Sequence, residues 1–195
     1  EKRLKKAGYT TRKGQFGAVR TMKRGASDDQ AEDGNVMNNL LLPASHGKIN
    51  KVTQFISNRR DDVNLTDENG NTALIFAIKK GYMDIVQALI RKGADLNKAG
   101  NNGETALMWA IKKGYIDIAL KLIEEGADLN LIDKYLNTAL ILACWKGNKV
   151  IVDALLEADA KVNHMDSNEA TALILASQNG HTEIVQALIA ADACI

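Results

Sequence analysis

The chain has 195 residues, of which 46% are hydrophobic and 25% charged, and its formal net charge is +1. This composition is ordinary for a soluble protein with a substantial core, and the lack of any run of about 18 apolar residues excludes a membrane-spanning helix. The amino end lacks the apolar segment of a secretory signal, and the two cysteines, Cys144 and Cys194, lie far apart in the sequence. We therefore expect a reducing, cytoplasmic setting, with the nucleus or a host cell as alternatives.

The first 36 residues carry their charges in two blocks. Residues 1–24 hold nine lysines and arginines against a single acidic residue, Glu1, whereas residues 25–36 hold four acidic residues and no basic one. Blocks of like charge without an apolar period are typical of a solvated arm and linker. We therefore predict that residues 1–36 form a basic arm and an acidic linker outside the folded domain. An alternative is that residues 2–24 bind nucleic acid through its phosphates.

From Gly70 onward, a unit of 33 residues recurs. The same threonine and the same central glycine return at this spacing, at Thr72, Thr105, Thr138 and Thr171 and at Gly81, Gly114, Gly147 and Gly180. In the first of these units, Thr72 can cap a helix, the apolar spacing of residues 73–78 predicts that helix, and Gly81 can end it. A second apolar stripe over residues 85–90 predicts a second helix. Two helices this short need neighbouring units to bury their apolar faces.

The repeated unit resembles the ankyrin repeat. Four units keep Thr-Ala-Leu and the central glycine, and three continue to a closing asparagine, namely Asn97, Asn130 and Asn163. The resemblance implies an all-α solenoid, and we predict five helix-turn-helix units over residues 37–195. Their predicted bounds are 37–66, 67–99, 100–132, 133–165 and 166–195. The units are also similar in style to ankyrin proteins that intracellular bacteria deliver into host cells.

The first, fourth and fifth units depart from this pattern. Pro43 lies inside the first predicted helix, where we expect it to disturb the helix because proline lacks a backbone N–H. Leu136, Asp159 and Glu169 stand where the more regular units have glycine. The sequence starts at Glu1 and stops before the closing asparagine of the fifth unit, so we expect it to be a piece of a longer protein.

Motifs for catalysis, cofactor binding and metal binding are all incomplete. The three histidines lie in three different units, none with a cysteine or carboxylate at ligand spacing. No recognisable nucleophile motif or phosphate-binding loop is complete. We therefore predict a protein that is not an enzyme and that uses no cofactor and no metal.

The family resemblance also implies where a partner docks, namely on the projecting turns and on the inner face of each first helix. The predicted contact residues are Lys79, Lys80, Lys112, Lys113, Tyr135, Trp145, Lys146, Asn101, Asn102 and Lys134. Five lysines in one concave groove favour a protein partner with an acidic segment and an apolar or aromatic anchor. The alternatives are a solvated face without a partner, an accessory recognition domain of a larger enzyme or secreted effector, and a nuclear protein that uses its basic arm.

Overall fold

The computed structural model describes residues 9–13, 19–23, 40–57 and 62–193. The chain divides into two units, residues 1–35 and 36–195.

A β-hairpin lies within the first unit. Strands β1 (Tyr9–Lys13) and β2 (Val19–Lys23) pair antiparallel, with Tyr9 opposite Lys23 and Lys13 opposite Val19. The sequence analysis assigned no secondary structure to the basic arm, because its residues show no clear apolar period. Threonine, valine and tyrosine favour extended backbone even without such a period, and this composition accounts for the two strands.

Residues 40–57 and 62–193 of the second unit contain ten α-helices in five consecutive pairs. The helices are α1 (Leu42–Ser45), α2 (Ile49–Ser57), α3 (Ala73–Lys80), α4 (Met83–Arg91), α5 (Ala106–Lys113), α6 (Ile116–Glu124), α7 (Ala139–Lys146), α8 (Lys149–Glu157), α9 (Ala172–Gln178) and α10 (Thr182–Ala190). Each pair corresponds to one predicted repeat, which confirms the helical solenoid. None of these helices combines the length and apolar content needed to cross a lipid bilayer.

The core of the solenoid runs through all five repeats. Each first helix packs against the first helix of the next repeat, and the second helices form a separate layer. The equivalent residues Leu74, Leu107 and Leu140 are each 1% exposed, and Leu173 in the fifth repeat is only partly buried. A neighbour on each side is therefore what completes the burial of a repeat.

The predicted helix signals work as expected. The hydroxyl of Thr72 accepts a hydrogen bond from the Ile75 N–H at 3.2 Å, and the threonines of the next three repeats cap their helices in the same way at 3.3 Å. Gly81 ends α3 with a φ of 75°. A Cβ at Gly81 would lie 2.9 Å from the Tyr115 ring of the next repeat. The central glycine therefore serves both the turn and the close packing of the adjacent repeat.

Pro43 lies at the start of the first helix and not in its interior, where the sequence analysis expected it to disturb the helix. Helix α1 has four residues, and Pro43 lies in its first turn, where a missing N–H removes no helical hydrogen bond. The His46 N–H then donates to the carbonyls of Leu42 and Pro43 at 3.1 and 3.3 Å. The first repeat is thus a weakened terminal unit, as capping repeats generally are.

The fourth and fifth repeats keep their central glycine but place other residues at their remaining left-handed turns. Leu136 and Glu169 have a φ of 60°, and Asp159 and Asp192 have a φ of 59°, all in the left-handed region. Non-glycine residues are strained there because the Cβ crowds the backbone carbonyl. These repeats therefore hold the repeat geometry at the expense of local backbone strain.

Candidate functional site

The last turn of each first helix presents three side chains on one face, because residues three and four apart in a helix are neighbours. We call this surface the inner face and divide it into three rows, each with one residue from the end of the first helix of the second to fifth repeats; Asn179 directly follows the last residue of α9. The rows are Phe76, Trp109, Leu142 and Leu175; Lys79, Lys112, Trp145 and Gln178; and Lys80, Lys113, Lys146 and Asn179. In the first row Leu142 is buried and the other three residues are partly buried, whereas the third row is exposed throughout.

In the middle row, Lys112 is part of an ion-pair network. Its Nζ lies 2.7 Å from Glu104 Oε1 and 3.1 Å from Asp133 Oδ2. The Asp133 side chain is 1% exposed and also accepts hydrogen bonds from the backbone N–H groups of Tyr135 and Asn137. Burial alone would lower the pKa of Lys112, but the hydrogen bonds to the two carboxylates raise it above its ordinary value.

Lys79 holds the equivalent position one repeat earlier, in a different environment. Its Nζ donates to Asn71 Oδ1 at 2.6 Å and lies 4.2 Å from the centre of the Trp109 ring. Gly100 lies one repeat before Asp133, at the equivalent position. Lys79 therefore has no carboxylate where Lys112 has that of Asp133. Burial therefore dominates and lowers the pKa of Lys79, although the more distant Glu104 and Asp67 oppose the shift.

In the fourth repeat, the middle row changes from lysine to tryptophan. Trp145 is 51% exposed, and the Nζ of its neighbour Lys146 lies 5.0 Å from the ring centre. A cavity of about 290 Å³ opens beside it, bordered by both helices α7 and α9. The residues around this cavity include Lys112, Asn137, Leu142, Trp145, Asp166 and Leu175.

The turns next to the inner face connect neighbouring repeats. Asn101 donates from its side chain to the Glu68 carbonyl at 3.0 Å, and the Lys134 N–H donates to the Asn102 carbonyl at 2.8 Å. Tyr135 is 54% exposed, and Lys134 Nζ lies 4.9 Å from its ring centre. The side chain of Asn101 thus links two repeats, whereas the Tyr135 ring is open to solvent.

The structure separates the ten predicted contact residues into two groups. Lys79, Lys112 and Asn101 use their polar groups within the fold. The other seven residues are all exposed, namely Lys80, Asn102, Lys113, Lys134, Tyr135, Trp145 and Lys146, and their contact with a partner stays a prediction.

The sequence analysis missed two carboxylates, Asp133 and Asp166. Both follow Asp67 at multiples of the 33-residue period. This spacing could have identified both aspartates from the sequence, because a residue that recurs with the repeat occupies the same place in each unit.

Neither a metal cluster nor a reactive thiol occurs in the described part of the chain. No group of three His, Cys, Asp or Glu side chains in residues 40–57 and 62–193 could hold one metal ion. Burial raises the pKa of the Cys144 thiol to about 12, so this thiol stays protonated and unreactive at neutral pH. Cys194 lies outside the described residues.

Comparison with known families agrees with this architecture. The sequence pattern described as "Ankyrin repeats (3 copies)" matches residues 40–133 and 126–195, which together make up more than half of the chain. The chain belongs to the ankyrin-repeat family. Ankyrin repeats as a family are protein-interaction modules, and this solenoid is one of them.

The chain also resembles one segment of a named enzyme. Over 50 residues it is 44% identical to the NAD-capped RNA hydrolase NUDT12 of Homo sapiens, and the proteins of that name in Pongo abelii and Macaca fascicularis match equally well. The aligned segment covers 26% of this chain and 11% of those relatives. The chain therefore spans only about a tenth of the length of the curated relatives it matches.

Proposed function

We propose that the chain is a recognition module that binds an extended segment of a partner protein across the inner face and the adjacent turns. The third row carries the proposal, because Lys80, Lys113 and Lys146 recur in register and stay exposed. A residue that only stabilises a solenoid is expected to pack between repeats, whereas these three lysines are exposed to solvent.

The exposed side chains also suggest the chemistry of the partner. Three lysines at a spacing of one repeat would attract acidic residues and orient the segment during encounter. Trp145 and Tyr135 are about half exposed and offer apolar area next to the lysines. Aromatic side chains of this kind commonly contribute most of the binding energy at an interface. We therefore propose an acidic segment with an apolar anchor.

A peptide selection followed by binding kinetics would test this function. A random peptide library displayed on phage would be selected on the wild-type chain, and the enriched peptides would be measured by biolayer interferometry. We expect Trp145→Ala to raise the dissociation rate. Lys80→Glu combined with Lys113→Glu should slow association and weaken its dependence on salt.

Controls come from lysines outside the inner face. Lys161→Glu changes an exposed lysine in the turn after α8 and should leave the kinetics unchanged. Lys112 is kept in all variants because its ammonium group belongs to the fold. If the enriched peptides bind the Trp145 variant and the double lysine variant as tightly as the wild type, the inner face is not the binding surface.

A second candidate function is that of an accessory recognition domain attached to a larger enzyme. The observation in its favour is the 44% identity with a 50-residue segment of the NAD-capped RNA hydrolase NUDT12. Sequencing the complete transcript that encodes this chain would decide it. A catalytic domain in the same reading frame would support this function, and an open reading frame without one would contradict it.

The basic arm offers a third, separate role in binding nucleic acid. Its nine basic residues against Glu1 are the observation behind it. If residues 2–24 neutralise phosphates of duplex DNA, log affinity should fall with log salt by about 0.9 per phosphate contacted. Fluorescence anisotropy at two salt concentrations measures this slope, and undetectable binding at low salt removes the role.

A further inference from the structure

The solenoid contains internal examples of how its inner face holds a cation. In the third repeat, the ammonium of Lys112 lies between Glu104 and Asp133, at 2.7 and 3.1 Å. In the second repeat, the ammonium of Lys79 lies 2.6 Å from Asn71 Oδ1 and over the Trp109 ring. Carboxylate, amide oxygen and indole ring are thus the cation ligands that this surface already uses.

The fourth repeat keeps such ligands but has lost the lysine. Asn137 occupies the place of Asn71, Asp166 that of Asp133, and Trp145 that of the two lysines. Asp166 Oδ1 accepts the N–H groups of Asn168 and Ala170 at 2.8 and 2.9 Å. The salt bridges between described residues do not include Asp166. The carboxylate therefore borders the cavity without a salt bridge to any described residue, and the one lysine that also borders the cavity, Lys112, pairs with Glu104 and Asp133 instead.

The amide of Asn137 adds a second unused acceptor. Its Nδ2 donates to the two Asp133 oxygens at 3.1 and 3.2 Å, which orients the group. Its Oδ1 receives no hydrogen bond in the part of the chain that the structure describes. In the second repeat, the corresponding oxygen of Asn71 accepts the lysine ammonium.

Half of the residues that line the cavity are apolar, namely Ile141, Leu142, Trp145 and Leu175. Leu142, Leu175 and the Trp145 ring border its volume of about 290 Å³. This space matches the aliphatic stem of a long side chain, which buries its methylene groups along apolar walls while its charged end reaches polar partners.

We propose that the cavity between α7 and α9 receives a lysine or arginine side chain of the partner segment. Its stem packs against Leu142, Leu175 and Trp145, and its charged end binds the Asp166 carboxylate and Asn137 Oδ1. This inference rests on the proposed function and deepens it by placing one basic residue within the segment that crosses the inner face.

The charges around the cavity agree with a basic guest. The charged residues that border the cavity are Lys112 and Asp166. Lys112 is already held by Glu104 and Asp133, which leaves the Asp166 carboxylate for a guest. Lys146 is exposed at the rim, where its flexible stem can move off the indole ring. A segment with one basic residue among acidic ones would therefore meet Asp166 and the third row in a single register.

Nuclear magnetic resonance on the full chain can test this inference with simple probes. The chain has two tryptophans, so its two indole N–H signals can be assigned with Trp145→Phe. The probes are capped tripeptides with lysine, arginine, norleucine or glutamate between two glycines. We expect the lysine and arginine peptides to shift the Trp145 signal in a saturable way and to leave Trp109 unchanged. The norleucine and glutamate peptides should have no effect.

Asp166→Asn removes the charge but keeps an oxygen that can hold the turn. It should weaken binding of the lysine peptide by about tenfold or more, as expected for a hydrogen bond to a charged group. The matched control is Asp128→Asn, because Asp128 also holds a turn, accepting the Asn130 N–H at 2.9 Å, but lies away from the cavity. Equal binding by wild type and Asp166→Asn would overturn the proposal, as would equal binding of the norleucine and lysine peptides or no shift up to the solubility limit.

A second variant supplies the missing cation within the chain. Trp145→Lys should abolish peptide binding and raise the melting temperature by about 2–4 °C, because its ammonium can reach Asp166 as Lys112 reaches Asp133. Trp145→Met, which removes the ring without adding charge, should not raise the melting temperature. A Trp145→Lys variant that is no more stable than Trp145→Met and still binds the lysine peptide contradicts the proposal. The two proposals can fail separately. If these variants contradict the lysine pocket but the Lys80→Glu and Lys113→Glu variant still loses the phage-selected peptides, the recognition function stands without the pocket.

Discussion

The third and fourth repeats share one backbone but use it differently. The third repeat closes its inner face with an ion-pair network and places Gly103 and Gly126 at its left-handed turns. The fourth repeat has Trp145 beside an open cavity, and Leu136 and Asp159 are strained at the same turns. The third repeat thus resembles a unit selected for stability. The fourth gives up stabilising features where a binding surface is proposed, as functional regions of proteins often do.

The largest expected difference between the two repeats comes from their equivalent aspartates. Asp133→Ala removes a buried carboxylate that pairs with Lys112 and holds the Asn137 turn, so we expect a loss of about 2–3 kcal/mol in the free energy of unfolding. Asp166→Ala removes only the turn contacts and should lose about 1 kcal/mol. Urea unfolding followed by circular dichroism measures both, and equal losses would show that the Lys112 pair adds nothing to stability.

The same pair predicts how stability changes with pH. The hydrogen bonds to Asp133 outweigh its burial and lower its pKa. Its contribution is therefore present above the unfolded value of about 3.9 and is lost as the pH falls through the lower folded value. For Lys112 the folded pKa is raised, so its contribution is lost as the pH rises through that value, above about 10.4. Asp133→Asn should flatten the acid side of the stability profile relative to the wild type.

The sequence predicted the helical pairs because their signals are local. Thr72 and Gly81 lie within the helix that they begin and end, so the printed order of residues suffices to place them. The role of Lys112 could not be predicted in this way, because it depends on Asp133 in the next repeat. The sequence analysis treated Lys79 and Lys112 as free charges, whereas burial lowers the pKa of Lys79 and hydrogen bonds to Glu104 and Asp133 overcome burial to raise the pKa of Lys112.

A smaller effect is expected from the strained turn of the fourth repeat. Leu136→Gly removes the strain of a non-glycine residue in the left-handed region, but glycine also gives the unfolded chain more entropy. We expect a net gain of about 0.5–1 kcal/mol in the free energy of unfolding. The matched change in the third repeat is Gly103→Ala, whose Cβ would lie 2.9 Å from the Ile132 carbonyl at a φ of 75°. It should lower stability. Thermal unfolding of both variants tests the contrast, and a destabilised Leu136→Gly would show that the leucine side chain outweighs the strain.

The second repeat provides the smallest and most specific test, because its Lys79 corresponds to Lys112 but has no aspartate equivalent to Asp133. Gly100→Asp would place a carboxylate where the third repeat has Asp133, and a Cβ there meets only the Asn69 carbonyl at 3.3 Å and Asn71 Oδ1 at 3.5 Å. We expect the pKa of Lys79 to rise, because the new charge opposes the effect of burial. The stability gain over Gly100→Asn, which has the same shape without the charge, should be about 0.5 kcal/mol for a partly exposed pair. A pH titration of the Lys79 side-chain signals by nuclear magnetic resonance measures the first effect, and urea unfolding measures the second. If both variants give the same Lys79 pKa, the aspartate is not what distinguishes Lys112 from Lys79, and the presence of Asn71 where the third repeat has Glu104 would have to account for the difference.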